Sequence, residues 1–159
     1  MDELIRLLKA NAHAPVGDLA RELNVSEADV RARIGTLEKD GTILGYQAIV
    51  DPDKAGNGTV TAIIEVKITP ERGGGFDRLA SRIAKFAQVQ SCYLMSGGYD
   101  LLVVVEGPNL QEIARFIAEK LSTIKGVLST STHFRLKTYK ELGTLMQREP
   151  RAQRLAVAP

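Results

Sequence analysis

The chain has 159 residues, of which 44% are hydrophobic and 25% charged, and its net charge is +2. This composition is typical of a globular protein and excludes collagen-like, low-complexity and disulfide-stapled chains. Because the chain has one cysteine, Cys92, and two histidines, His13 and His133, we expect no metal site. No apolar run approaches the ~20 residues of a membrane helix, and residues 1–12 lack a basic leader, so we expect a cytoplasmic protein with no membrane partner.

The charges are unevenly distributed along the chain. Residues 1–50 hold six basic and eight acidic side chains, residues 51–107 hold six and seven, and residues 108–159 hold nine and four. Charge alone therefore predicts that a polyanion binds near the C-terminal end. The pattern of helices in the first fifty residues predicts instead that a nucleic acid binds at the N-terminal end.

Two short helices are predicted in the first 24 residues. Pro15 is expected in the first turn of the second helix, where its missing N–H costs nothing. This helix is expected to end at Asn24, a residue that tolerates the left-handed conformation. Apolar side chains at helical spacing give the two helices their buried sides: Leu4, Ile5, Leu7, Leu8, Leu19, Ala20 and Leu23.

A third helix is predicted to begin after Ser26 and to end at Gly41. Ser26 and Asp29 have the spacing of a capping box, and Gly41 is a good C-cap. The buried stripe of this helix is Val30, Ile34 and Leu37. Residues 42–50 are rich in β-formers and predict a short hairpin or an extended strand. Residues 1–50 are therefore interpreted as a winged helix-turn-helix with the third helix in the major groove of DNA.

The outward side of the third helix is small and polar. Small side chains let a helix approach base edges and phosphates closely, and polar side chains donate to both. We predict a DNA-contacting surface, called the groove face below, made of Ser26, Glu27, Ala28, Arg31, Ala32, Gly35, Thr36 and Lys39. The alternative is a generic three-helix bundle whose polar side is only solvated. Because Glu27 and Asp29 oppose phosphate binding, each chain is expected to make few phosphate contacts with DNA. This favours an assembly in which several chains combine their phosphate contacts.

A turn-rich linker at residues 51–58 separates this unit from a second one at residues 59–140. Three glycines, Gly73, Gly74 and Gly75, predict a flexible hinge before the first helix of the second unit. The four predicted strands span residues 60–69, 89–95, 99–106 and 127–136. The order βαββαβ predicts an α+β fold of the ferredoxin-like plan, with one antiparallel sheet and two helices on one side.

The side of the sheet without helices is expected to pack against another protein surface. Ile63, Leu101, Val103 and Val105 cannot all point at two helices, and a large exposed apolar patch is usually an interface. We therefore expect a homo-oligomer.

Several runs of the sequence resemble one family. In the first unit they are DLARELNVS at residues 18–26, GTILGY at 41–46 and DP at 51–52. In the second unit they include SGGYDLL at residues 96–102 and GV at 126–127. Together, and in this order, they are similar to the Lrp/AsnC regulators, also called feast/famine regulatory proteins, over residues 2–140.

The resemblance implies a sequence-specific, DNA-binding transcription regulator. It implies that the second units pair into homodimers, which often assemble into octamers, and that a small effector, commonly an amino acid, binds between dimers. The implied effector residues are Met95, Ser96, Gly97, Gly98, Tyr99, Asp100, Thr130 and Thr132. Glycine N–H groups can approach a carboxylate, and Asp100 can pair with an α-ammonium. A hairpin turn favours the same residues, and in that case Asp100 would only accept hydrogen bonds from backbone N–H groups. The alternative that these residues form a turn without binding an effector stays open.

Two other classes of function are alternatives to a transcription regulator. Some proteins resembling this family are tetrapyrrole decarboxylases, but the sequence shows no nucleophile–base pair, carboxylate dyad or phosphate loop, so neither an enzyme nor a cofactor is expected. The third class is a metabolite-binding oligomer without DNA affinity.

Cys92 is expected to be a buried, inert thiol. A tail at residues 141–159, with Arg148, Arg151 and Arg154, either adds phosphate contacts or is disordered, and disorder is favoured.

Overall fold

A computed structural model describes residues 2–56, 58–70 and 75–146. The chain divides between Ile49 and Val50 into two compact units. No helix of the described residues is long and apolar enough to cross a bilayer. The predicted hinge residues Gly73 and Gly74 lie outside the described residues.

The first unit contains α1 (Glu3–Ala10), α2 (Val16–Leu23) and α3 (Glu27–Lys39). Its ends follow the predicted local signals, since Asn24 is left-handed with φ 53° and Gly41 has φ 78°. Pro15 differs from expectation, because it occupies the N-cap of α2 rather than its first turn. The core of the unit consists of Leu4, Leu7, Leu8, Leu19, Ala20 and Val30, with Ile34 and Leu37 packed against it.

The predicted β segment at residues 42–50 is wrong for the single chain, because no residue of it is in a strand. The start of the segment is hydrogen-bonded to α3, because the Ile43 N–H donates to Leu37 O at 2.8 Å. Further on, the Tyr46 hydroxyl donates to Glu38 Oε1 at 2.9 Å, and this bond raises the pKa of Tyr46. A strand needs a neighbouring strand for its backbone hydrogen bonds, and the described part of the chain offers this segment none.

The second unit has the predicted ferredoxin-like plan, preceded by a single turn, α4 (Pro52–Ala55). Its elements are β1 (Val60–Ile68), α5 (Asp77–Ala84), β2 (Val89–Leu94), β3 (Leu101–Gly107), α6 (Leu110–Phe116) and β4 (Val127–Phe134). All neighbouring strands are antiparallel, in the order β2-β3-β1-β4. Both helices cover one sheet side, where Ala62, Ile64, Val66 and Ile68 of β1 join Leu79, Ile83, Ile113 and Phe116 in one core.

The expectation for the uncovered side of the sheet was wrong at three of four positions. Leu101, Val103 and Val105 are fully buried in the core beneath the helices. Register explains the error, because these residues pair with Val66, Ile64 and Ala62, the inward positions of β1. The other side, called the open face below, presents Ile63, Glu65, Tyr93, Leu102, Val104, Ser131 and His133.

The C-terminal part of the second unit differs in detail from the predicted helix, strand and tail. Leu110 was predicted to be buried but is 49% exposed, because Ile113 and Phe116 fill that part of the core. A π-helical turn, Ile117–Leu121, continues α6. After β4, a small hairpin forms from β5 (Lys140–Glu141) and β6 (Thr144–Leu145), at the start of the predicted tail. Residues 147–159, which include the three tail arginines, lie outside the described residues.

Candidate nucleic-acid interface and effector turn

The groove face predicted on α3 is open to solvent along its whole length. All eight of its residues are exposed, whereas Val30 on the other side of the helix is fully buried. Ile34 and Leu37 continue the packed side. Packing therefore fixes the rotation of α3 about its axis, and the small and polar side is the one left outward.

The N-terminal end of α3 is fixed by a reciprocal cap. Ser26 Oγ accepts from the Asp29 N–H at 3.1 Å and donates to Asp29 Oδ2 at 2.6 Å. The Ser26 N–H donates to the same Oδ2 at 3.3 Å. Since Asp29 accepts the hydrogen bond of the Ser26 hydroxyl, the main contribution of Ser26 is to hold the first turn rather than to donate to DNA.

The middle of the groove face is low in relief. A Cβ added to Gly35 would meet no atom within 4 Å, so the space in front of that residue is empty. Thr36 Oγ1 donates to Ala32 O at 3.0 Å and is thus turned back onto its own helix. Lys39, in the last turn, makes no ion pair with any described residue. A flat strip bordered by cations suits close approach to a groove floor.

Sequence reasoning missed Arg33 and Asp2, which border the groove face. Arg33 Nη2 donates to Asp2 Oδ1 at 2.8 Å and to Oδ2 at 3.1 Å. Both residues line a shallow cleft of about 290 Å³ shared with Ala32 and Thr36. The Leu4 N–H and then Arg33 hold the pKa of Asp2 below its ordinary value. The available signal was weak: Asp2 is an N-cap type at the start of α1, and its partner lies 31 positions along the chain.

The turn that carries most of the predicted effector residues, called the effector turn below, spans residues 95–100 and joins β2 to β3. The Met95 N–H donates to Asp100 O at 2.8 Å, which closes the turn. Gly97 has φ 119°, a conformation that other residues rarely adopt, and a Cβ on Gly97 or Gly98 would meet nothing within 4 Å. The tip of the turn is therefore open, while Tyr99 is half-buried at its base.

Asp100 has a structural contact at the base of the effector turn. Its Oδ2 accepts from the Ile68 N–H at 2.8 Å, and its own N–H donates to Val66 O at 3.0 Å. These bonds lie next to the register shift between Lys67 and Ile68, where the regular ladder is interrupted. One carboxylate oxygen thus satisfies a backbone donor, and among the described residues Oδ1 has no hydrogen-bond partner.

Thr130 and Thr132 lie on β4, the edge strand of the sheet. Thr130 pairs with Val66, which pairs in turn with Leu101 at the end of the effector turn. Thr132 pairs with Ile64, one step further from the turn. Both threonines are half-buried on the helix side of the sheet. The structure therefore brings Thr130 to the turn end of the sheet, with β1 and β3 between it and the turn.

The second unit has a small cleft away from the effector turn. It has a volume of about 80 Å³ and is lined by Gln88, Gly107, Pro108, Glu112 and neighbouring residues, with none of the effector candidates among them. In the described residues no three His, Cys, Asp or Glu side chains cluster in a way that could hold a metal ion.

The fold and these two surfaces define a class: a helix-turn-helix unit with an exposed third helix, followed in the chain by a ferredoxin-like unit. Two family descriptions match the sequence, "AsnC-type helix-turn-helix domain" at residues 3–38 and "Lrp/AsnC ligand binding domain" at residues 61–145. The chain belongs to the Lrp/AsnC family of transcriptional regulators.

Individual relatives are similar over nearly the whole chain. The HTH-type transcriptional regulator YugG of Bacillus subtilis is 42% identical over 158 residues, 99% of this chain and 95% of the relative. The proline dehydrogenase transcriptional activator of Rhodobacter capsulatus is 32% identical, covering 87% of this chain and 89% of the relative. A transcriptional regulator of Neisseria meningitidis, solved as an L-methionine complex, has a TM-score of 0.69 at 23% identity over 89% of this chain and 93% of that chain.

Proposed function

We propose that this transcriptional regulator reads duplex DNA in the major groove with the groove face of α3. One observation carries the proposal: all eight predicted residues are exposed while the opposite side of the same helix is packed. Arg31 and Lys39 are the groove-face cations, and Ala28, Ala32 and Gly35 allow close approach. Such a protein acts where the chromosome is, in the cytoplasm of a prokaryotic cell.

The test of this interface is selection of duplexes from random DNA, followed by binding measurements on variants. Arg31→Ala and Lys39→Ala should each weaken binding to the selected duplex, and the loss of a phosphate contact in Lys39→Ala should reduce the slope of log K against log salt by ~0.9. Lys120→Ala, on the π-helical turn of the second unit, is the matched control and should change neither quantity. Unchanged binding by both groove-face variants would place the DNA contact elsewhere.

We propose further that DNA is bound by a homodimer, and by assemblies of dimers up to an octamer. The first fifty residues have a net charge of −2, from six basic and eight acidic side chains, so one chain offers little attraction to phosphate. Two linked chains add their contacts without any new residue. The open face of the sheet, with Ile63, Leu102 and Val104 near its centre, supplies an apolar surface for the pairing.

The proposed effector is an amino acid bound at the effector turn. The Neisseria relative was solved with L-methionine and the Rhodobacter relative activates proline dehydrogenase expression, and both names point to amino acids. In this chain, the open tip at Gly97 and Gly98 offers backbone N–H groups to a carboxylate, and Asp100 Oδ1 is available to an α-ammonium. Because the turn is exposed in one chain, a second dimer is proposed to close the site.

Effector binding is tested by thermal denaturation of the intact protein with each of the twenty amino acids. Gly98→Val should abolish the stabilisation by the amino acid that binds, because its side chain enters the empty space at the tip. The melting temperature of the unliganded variant should stay close to that of the native chain. Stabilisation of equal size in the variant and the native protein would exclude the turn as the site.

We propose that the chain has no enzymatic activity. The relatives it matches are transcription regulators, and the second unit has one histidine, His133, on the open face. An absorbance scan with added tetrapyrrole should show no conversion, and turnover would contradict the proposal.

A further inference from the structure

Every arginine of the DNA-binding unit is held by an acidic side chain. Among the described residues of this unit, Arg6 pairs with Glu3, Arg21 with Asp18, Arg31 with Glu27 and Arg33 with Asp2. Of these pairs, only Arg31 and Glu27 have both members on the groove face. The arginine expected to contact DNA therefore has a carboxylate already bound to it.

The pair is well formed and open to water. Arg31 Nη2 donates to Glu27 Oε2 at 2.6 Å, with the side chains 62% and 52% exposed. Glu27 precedes Arg31 by four residues, the favourable order for an ion pair along a helix. Because exposed pairs are weak, another partner with matching geometry can replace the carboxylate.

The second oxygen of Glu27 lies against another helix. A Cβ added to Gly17, in the first turn of α2, would come within 3.1 Å of Glu27 Oε1. Glycine at this position therefore leaves the space that the carboxylate occupies. Glu27 thus lies between the start of α2 and Arg31 of α3, and it places a negative charge where these two helices approach each other.

From this geometry we infer that Glu27 is a specificity-determining residue. Its carboxylate keeps Arg31 from binding DNA phosphates, and Arg31 leaves the carboxylate only when it meets a matching base pair. The inference rests on the proposed groove face. In a non-specific complex, a phosphate must compete with Glu27 for Arg31, and it also meets the repulsion of the carboxylate. In the specific complex, Arg31 gains two parallel hydrogen bonds to one base edge, as arginine makes to guanine, and this geometry outweighs a single carboxylate contact.

The test is Glu27→Gln, which removes the charge and keeps the size of the side chain. Binding is measured to the duplex selected by the native protein and to a scrambled duplex of the same composition. The variant should bind the scrambled duplex severalfold more tightly, with a salt slope steeper by ~0.9 per protomer. Affinity for the selected duplex should change less, so the ratio of the two affinities should fall.

Glu112→Gln is the matched control. Glu112 pairs with Arg115 on α6 of the second unit at 2.9 Å, and both side chains are similarly exposed, 44% and 59%. This variant loses the same charge from the whole protein, away from the groove face. Its affinity ratio should equal that of the native chain, and an equal fall in both variants would reduce the effect to net charge and overturn the inference.

Dependence on Arg31 distinguishes the two proposals. In the double variant Glu27→Gln, Arg31→Ala, the gain in scrambled-duplex binding should disappear, because the carboxylate acts through Arg31. A gain that persists in the double variant, or an unchanged ratio in Glu27→Gln alone, would overturn the role of Glu27. Failure of the groove face itself would appear differently, as native affinity in Arg31→Ala and Lys39→Ala.

Discussion

Asp2 caps α1 and holds Arg33 at the same time, and it therefore links α1 to α3. Its carboxylate accepts from the Leu4 N–H at 2.9 Å and from Arg33 Nη2 at 2.8 Å. The Leu4 bond first, and Arg33 second, lower the pKa of Asp2 in the folded chain. A carboxyl whose pKa is lower in the folded state stabilises the fold above its unfolded pKa, about 3.9, and this contribution is lost as the pH falls through the folded pKa.

The first prediction concerns Asp2→Asn, because asparagine still caps a helix but carries no charge. At pH 7 the variant should melt at a lower temperature than the native protein. Below about pH 4 the difference should begin to diminish, because the unfolded chain takes up a proton before folded Asp2, whose pKa is lower. Melting curves of both proteins from pH 7 to pH 3 measure this, and a constant difference over the whole range would contradict it.

The second prediction concerns Cys92, the single cysteine of the chain. Its side chain is half-buried rather than buried as expected; this partial burial raises the pKa of the thiol, and its Sγ lies 3.9 Å from Ala80 O. Because the thiolate is the nucleophile, alkylation by iodoacetamide at pH 8 should be slower than that of glutathione. Alkylation in guanidinium should recover the rate of an unfolded chain. Equal rates for the folded protein and glutathione would show that the thiol is not protected.

At the scale of the helix, one glycine inside α3 and one just after it should have opposite effects on stability, and this gives the third prediction. Gly35 lies inside the helix with open space around it, so Gly35→Ala should stabilise the unit by about 1 kcal/mol. Gly41 follows the helix with φ 78°, so Gly41→Ala should destabilise the unit by about 1–2 kcal/mol. Denaturant unfolding of the two variants measures both values. A gain in stability by Gly41→Ala would contradict its assignment as the left-handed cap.

The elements that sequence predicted best are those whose signals are local. The capping pair Ser26 and Asp29 and the left-handed Asn24 each mark a helix end within a few residues, and the structure confirms them. The strand expected at residues 42–50 failed because a strand depends on a partner elsewhere in the sequence. The local composition of this segment, rich in β-formers, carried no information about such a partner.

The residues of the sheet show the same limit. Leu101 and its alternate neighbours in β3 were expected on the open side, but whether they point inward depends on their pairing with β1, some 35 to 45 residues earlier. The contact of Asp100 with the Ile68 N–H spans 32 residues and was not predicted as a particular bond. Sequence did identify the composition of the groove face, since helical periodicity alone decides which side of α3 is outward.

At the scale of the whole molecule, charge and apolar surface both support the proposed assembly. The arginines of the first unit are paired with acids, so its attraction to DNA is small per chain. Among the described residues of the second unit, both helices of the ferredoxin-like plan pack on one side of the sheet, and no helix of that unit packs on the other. A pairing through that side would bury apolar surface and double the number of groove faces in one step.

The fourth prediction tests this pairing with Val104→Lys. Val104 lies on the open face between Ile63 of β1 and Ser91 of β2, so a lysine there remains solvated in a single chain but is buried when two sheets meet. Leu110→Lys is the control, because Leu110 is 49% exposed on α6 at the helix side. In sedimentation at equal concentration, the native protein and Leu110→Lys should form dimers or larger assemblies, and Val104→Lys should form monomers.

The same variant connects assembly to DNA binding. If two chains share the phosphate contacts, monomeric Val104→Lys should bind the selected duplex at least tenfold more weakly while its circular dichroism spectrum matches that of the native protein. Its salt slope should fall to about half, because half of the phosphate contacts are lost with the partner. A Val104→Lys protein that sediments like the native one would exclude the open face as the pairing surface. A monomer with native affinity and slope would instead show that one groove face is enough for DNA.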